Sequence, residues 1–260
     1  MANLSAHAVS PRRSARGDLY TRLMTRLATF RLSNLARSVK KQKLTYLSDA
    51  KLLRLENALY DVVSQGTDGA FVEFGVALGG SAILIANAAA NTHRPFFGYD
   101  VFGMIPPPAS DKDDTKSKDR YEVIASGQAT GIGGDGYYGY RDDLYNDVVK
   151  AFQRNGLAVD GRTLSLVKGL FEDTWPRTNV GAVAFCHIDC DWYDPVKFCL
   201  DEIAPRLAPH GLILLDDYHD YGGCAQATNE FLNANPDFAL GDGPNVIVRR
   251  RHDSRPNRFS

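Results

Sequence analysis

From residue 66 onward the chain alternates short apolar runs with amphipathic stretches, and this alternation restricts the fold more than any other feature. Runs of strand length lie at residues 70–74, 96–100, 163–167, 182–188 and 211–215. Between and after them, residues 81–90, 141–155, 195–207 and 223–234 have helical length and pattern. Such an order predicts an α/β domain with a mostly parallel sheet and helices on both faces. Two last strands, residues 238–240 and 246–250, flank the turn Gly241-Asp-Gly-Pro-Asn245 and read as an antiparallel hairpin.

Composition adds bounds. A chain of 260 residues with a formal net charge of -1 has room for a sizeable core. It gives no reason to expect nucleic acid or an anionic membrane as partner. No apolar run approaches the roughly 20 residues that span a bilayer, and residues 1–16 lack the apolar core of a secretory signal. Cys186, Cys190, Cys199 and Cys224 show no C-x-x-C spacing and read as small buried hydrophobes of a reducing cytoplasm. Residues 1–17, basic and serine-rich, read as a disordered tail, and residues 253–260 as a C-terminal tail. Residues 18–65 read as an N-terminal helical extension. In it Leu19, Leu23, Leu27, Phe30 and Leu35 recur at helical spacing, and Ser48 caps a second helix running to residue 63. Such an extension can lie on the main domain, on another subunit or over the active site. The main domain then covers residues 66–252, with a proline-, glycine- and tyrosine-rich insertion at about 103–140 whose length suggests a lid.

The run Phe71-Val-Glu-Phe-Gly-Val-Ala-Leu-Gly-Gly-Ser81 starts as a strand and ends as a helix. Gly75 permits a sharp turn off the strand, Gly79 and Gly80 are expected to leave room for a ligand, and Ser81 to cap the helix. The spacing fits neither the dinucleotide fingerprint nor the phosphate-binding loop, which needs a lysine. Lacking a basic residue, the loop suits a ligand with an amino-acid head group, whose ammonium Glu73 would attract. Asp100 ends the next strand, where an acid can accept both hydroxyls of a ribose. Phe102 joins this cofactor set. Phe171 and Asp173 are placed to meet an adenine.

Asp189 and Asp191 end one later strand, and Asp216 with Asp217 ends the next. Adjacent strands lie about 5 Å apart, so these carboxylates converge at the carboxyl edge of the sheet. Unpaired, they would raise one another's pKa; a hard divalent cation, Mg²⁺ or else Mn²⁺, relieves that repulsion. Asp189, Asp216 and Asp217 are assigned to the metal, Asp189 also to the cofactor site, and Asp191 to the general base that deprotonates an acceptor hydroxyl. His219 is expected to face the pocket beside it, whereas His187 reads as a strand residue. Trp192, Tyr193, Tyr218 and Tyr221, with Tyr137, Tyr138 and Tyr140, are candidate walls.

With these motifs in place the chain resembles the macrocin O-methyltransferase family of antibiotic biosynthesis. The resemblance is carried by Val72-Glu-Phe-Gly-Val-Ala-Leu-Gly-Gly80, Gly169-Leu-Phe-Glu-Asp-Thr-Trp-Pro176, His187-Ile-Asp-Cys-Asp-Trp-Tyr193 and Gly211-Leu-Ile-Leu-Leu-Asp-Asp-Tyr218. It implies a Rossmann-like class I methyltransferase fold of seven strands, S-adenosylmethionine, Mg²⁺, a sugar hydroxyl of a glycosylated natural product as acceptor, and a homo-oligomer. It also places Asp189, Asp216 and Asp217 on the family's metal ligands and Asp191 on its base. The run after Asp100, Val101-Phe-Gly-Met104, departs from the family. Rival readings are a catechol or other phenolic acceptor, a glycosyltransferase using Asp189-x-Asp191 as its metal motif, and a non-catalytic binding protein.

Overall fold

A computed structural model describes residues 31–251. Both expected tails, and the part of the extension bearing Leu19, Leu23, Leu27 and Phe30, lie outside them. The strands are β1 (Ala70–Phe74), β2 (Phe96–Asp100), β3 (Leu164–Lys168), β4 (Val183–Ile188), β5 (Leu207–Leu215), β6 (Phe238–Gly241) and β7 (Val246–Arg250). They form a seven-stranded sheet in the order β3-β2-β1-β4-β5-β7-β6. The first five are parallel, β7 runs antiparallel to β5, and β6 with β7 forms the antiparallel hairpin that their turn residues predict. The start of β5 differs from expectation. It pairs with β4 already at Leu207, and a register shift then loops Pro209 and His210 out before the apolar run resumes. Periodicity alone does not show a strand interrupted by a bulge.

The helices are α1 (Asn34–Lys41), α2 (Asp49–Ser64), α3 (Gly80–Asn91), α4 (Thr115–Ala125), α5 (Leu144–Arg154), the single turn α6 (Phe171–Thr174), α7 (Tyr193–Ile203) and α8 (Gly222–Ala234). Ser48 caps α2 as expected, accepting from the Lys51 N–H. Ser33 caps α1 in the same way, accepting from the Ala36 N–H. In the sheet, alternate side chains face opposite layers. Phe71, Phe96, Phe185, Leu212 and Leu214 meet α1, α2, α3 and α5. Val72, Phe74, Cys186, Ile188, Ile213 and Leu215 meet α7, α8 and Trp175. Burial on both faces explains why the strands read as nearly continuous apolar runs.

All four cysteines are buried and free. Among the described residues, no helix is long and apolar enough to cross a membrane.

One backbone contact fixes the centre of this edge. Gly75 has φ +91°, and a Cβ built on it would lie 1.7 Å from the Asp189 carbonyl oxygen. Gly66 also has positive φ but open space around it. Gly75→Ala is therefore expected to destabilise the protein by about 3 kcal/mol or more, and Gly66→Ala by about 1 kcal/mol. Denaturant midpoints measure both; equal losses would show that the approach of β1 to β4 tolerates a side chain.

Candidate active site

At the carboxyl edge of the sheet, above the centre formed by β1 and β4, lies a cavity of about 790 Å³. Open parallel sheets bind their ligands in this position, where strand order reverses. Gly75, Val76, Ala77 and Ser81 line one side. Asp100 is buried beside them and organises the loop. Its Oδ2 accepts from the N–H groups of Val76 and Ala77, each at 2.8 Å, and its Oδ1 from that of Phe102 at 2.6 Å. Burial raises the Asp100 pKa, and these three N–H donors oppose the rise. Asp100 lines the cavity, and Oδ1, with a single N–H donor, keeps acceptor capacity.

The glycines serve a different purpose from the one expected. Gly79 packs against Val148 and Phe152, and a Cβ on Gly80 would lie 2.5 Å from the Leu44 carbonyl oxygen. The Gly80 N–H donates to that oxygen at 2.9 Å. Gly80 thus makes room for the chain's own strap, residues 44–47, which itself lines the cavity, and Gly79 makes room for α5. Ser81 lines the cavity too, but Gly79 holds the cap position of α3 and no side chain caps that helix.

Several other expected cofactor residues stand back. Glu73 is fully buried behind the loop, with Oε1 2.8 Å from Nδ1 of the equally buried His187, its register partner on β4. The ring of Phe102 is buried against Tyr145, so only its backbone N–H serves Asp100. Phe171 lines the cavity, edge-on to Phe74. Asp173 is exposed on the outer side of α6 and does not line it.

The carboxylates converge as their strand-end positions require. Asp189, Asp216 and Asp217 each offer a ligand oxygen, all lying within 4.8 Å of one another. Burial, together with the neighbouring carboxylates, pushes Asp189 and Asp217 well above the usual carboxylate range. For the same reasons Asp191 rises to about 7. Asp191 has φ +59°, rare for a residue with a side chain, and its N–H donates to Asp217 Oδ2 at 3.1 Å. Such strain, held by a neighbour's hydrogen bond, sharply turns the strand end and sets Asp191 in the cavity wall. His219 lies elsewhere. It is exposed, with Nε2 3.1 Å from the Gly243 carbonyl oxygen, and does not line the cavity.

Lys51, in the first turn of α2, reaches this cluster, although no motif marks it. Its Nζ lies 2.7 Å from Asp216 Oδ2 and 2.7 Å from Asp220 Oδ2. Burial alone would depress its pKa, but the Asp216 and Asp220 carboxylates outweigh burial and raise it.

The insertion after β2 forms the opposite wall. On α4, Lys116, Arg120 and Ile124 recur every fourth residue and turn to the cavity, as do Tyr137 and Tyr138. Consecutive acids dock the insertion onto two helix starts. Asp113 Oδ1 accepts from the first N–H of α7 at 2.8 Å, and Asp114 Oδ2 from the first N–H of α8 at 3.0 Å. Helix N-termini favour such carboxylates. Trp192 and Tyr221 complete the wall, whereas Tyr140, Tyr193 and Tyr218 do not line the cavity; their hydroxyls bond to the Ile124 carbonyl, Glu230 and Asn229.

Residues 26–236 match the family described as Macrocin-O-methyltransferase (TylF). The chain is 29% identical over 187 residues to the 8-demethyl-8-(2,3-dimethoxy-alpha-L-rhamnosyl)-tetracenomycin-C 4'-O-methyltransferase of Streptomyces olivaceus, covering 66% of each chain. It is 24% identical over 200 residues to the demethyldecarbamoylnovobiocin O-methyltransferase of Streptomyces niveus, covering 72% of this chain and 67% of that one. The chain thus spans about two thirds of the length of these relatives, 66% for the first of them. Among solved structures, the O-methyltransferase NovP superposes with a TM-score of 0.67 at 20% identity, over 90% of this chain and 98% of that one. The chain has the class I methyltransferase fold and belongs to the Macrocin-O-methyltransferase (TylF) family.

Proposed function

We propose that the protein transfers a methyl group from S-adenosylmethionine to a hydroxyl on the sugar of a glycosylated natural product, assisted by Mg²⁺ or Mn²⁺. One observation carries this reading: three ligand-grade aspartates within 4.8 Å of one another share a single cavity with the loop at Gly75–Ser81. The names of the two curated relatives, one acting on a rhamnosyl-tetracenomycin and one on a novobiocin precursor, support the acceptor class. A cavity of about 790 Å³ suits a cofactor-sized ligand with an acceptor unit beside it.

The donor set fits a hard cation, because all its atoms are carboxylate oxygens, whose repulsion Lys51 and the Asp191 N–H offset in part. Asp189, Asp216 and Asp217 would hold the ion, which when bound supplies the Lewis acidity that makes an alcohol acidic enough to lose its proton. Asp191 accepts that proton. S-adenosylmethionine, when bound, would supply the methyl carbon to the hydroxyl oxygen, its carbon–sulfur bond breaking to leave S-adenosylhomocysteine. Asp100, with the loop backbone that it orders, would hold the donor, and the aromatic wall of Tyr137, Tyr138, Trp192 and Tyr221 excludes water and orients the acceptor. That same wall favours a second reading, a catechol or other phenolic acceptor, which stacks on aromatic rings.

Calorimetry on the folded protein is expected to show S-adenosylmethionine binding; a sample that binds none overturns the cofactor assignment. Asp191→Asn is expected to lower kcat roughly 10²–10⁴-fold with S-adenosylmethionine affinity kept, the range for loss of a general base. Full turnover by that variant would remove Asp191 from the role. Asp216→Ala is expected to abolish the dependence of turnover on added Mg²⁺, and wild-type activity undiminished in a chelator would refute the metal. Turnover of simple catechols but not of desmethyl glycosides would select the second reading.

A further inference from the structure

We propose that Lys51 is a positioning residue for the metal site, supplied by the N-terminal helix α2 rather than by the sheet. The inference rests on the metal reading above. Lys51 is set by the Ser48 cap, which receives the Lys51 N–H itself at 3.2 Å and so fixes the register of the first turn. A cation there is disfavoured by the helix dipole. Its side chain is nonetheless only 16% exposed, and the ammonium spans three oxygens: Asp216 Oδ2 at 2.7 Å, the Asp216 carbonyl at 3.0 Å and Asp220 Oδ2 at 2.7 Å.

Holding both the carboxylate and the carbonyl of Asp216 fixes its side chain relative to its own backbone, and the bond to Asp220 ties in the turn that follows Asp217. With Oδ2 engaged by Lys51, Oδ1 remains to face a cation. The buried Asn245 amide lies 3.5 Å from Oδ1 and, equally, 3.5 Å from the Lys51 carbonyl, too long to compete strongly. Outer groups that orient a ligand in this way govern how well the site binds metal.

Charge and position predict opposite signs, so the role can be read directly. If Lys51 only neutralised the acids, removing its charge would make the cluster more negative and tighten its hold on a divalent cation. If it positions Asp216, removal loosens that hold. The test is calorimetric titration of the full-length protein with Mn²⁺ alone, comparing wild type, Lys51→Met and Lys51→Arg. Lys51→Met is expected to bind Mn²⁺ about tenfold more weakly, Lys51→Arg within about threefold of wild type, and both to keep wild-type affinity for S-adenosylmethionine. Should Lys51→Met fail to fold, Lys51→Gln, too short to span the same three oxygens, carries the same expectation. Equal or tighter Mn²⁺ binding by the Met or Gln variant overturns the positioning role while leaving the metal site in place. A wild-type protein that binds S-adenosylmethionine but no Mn²⁺ overturns the metal reading and this inference together.

Discussion

Everything at the carboxyl edge depends on two backbones meeting without a side chain between them. Where β1 ends, Gly75 turns away beneath the carbonyl of Asp189, and the Asp189 N–H returns a hydrogen bond to Phe74 at 2.9 Å. That contact keeps the loop leaving β1 beside the acids leaving β4. In the proposed reaction, methyl donor and hydroxyl must come within bonding reach of each other, and no later adjustment of side chains would close a gap between these two strand ends.

A second constraint is electrostatic. Collecting carboxylates in a recess raises their pKa values, and Asp189, Asp191 and Asp217 all show it. The fold tolerates the cluster because it brings compensating groups from outside the sheet: Lys51 from α2, Arg120 across the cavity on α4, and the Asp191 N–H. The site is therefore an assembly of three regions of chain, and the sheet supplies only one of them.

What the sequence disclosed follows that division. Strands β1, β2 and β7 were legible to the residue, because strands buried on both faces spell themselves in apolar runs. The acids were legible because strand ends on one edge must converge. Local spacing does not say which face of a turn a residue shows. Glu73, Asp173 and His219 occupy plausible positions along the chain, yet one is buried behind the loop and two are on the outside. Gly79 and Gly80 were recognised as places needing bare backbone, but what presses on them is the protein's own strap and α5. Lys51 was invisible for a related reason: its partners lie 165 and 169 residues away, and only the tertiary fold brings them together.

The strap at residues 44–47 bears on how proteins of this kind can be rearranged. Because Gly80 is moulded to the Leu44 carbonyl and Asp216 to Lys51, the segment before β1 is not an accessory that recombination can exchange freely. A chimera joining this sheet to another protein's leading helices would inherit an edge with a slot and a charge left unfilled. Exchange of acceptor preference is more easily accommodated through the insertion after β2, whose docking relies on a few acids at two helix starts.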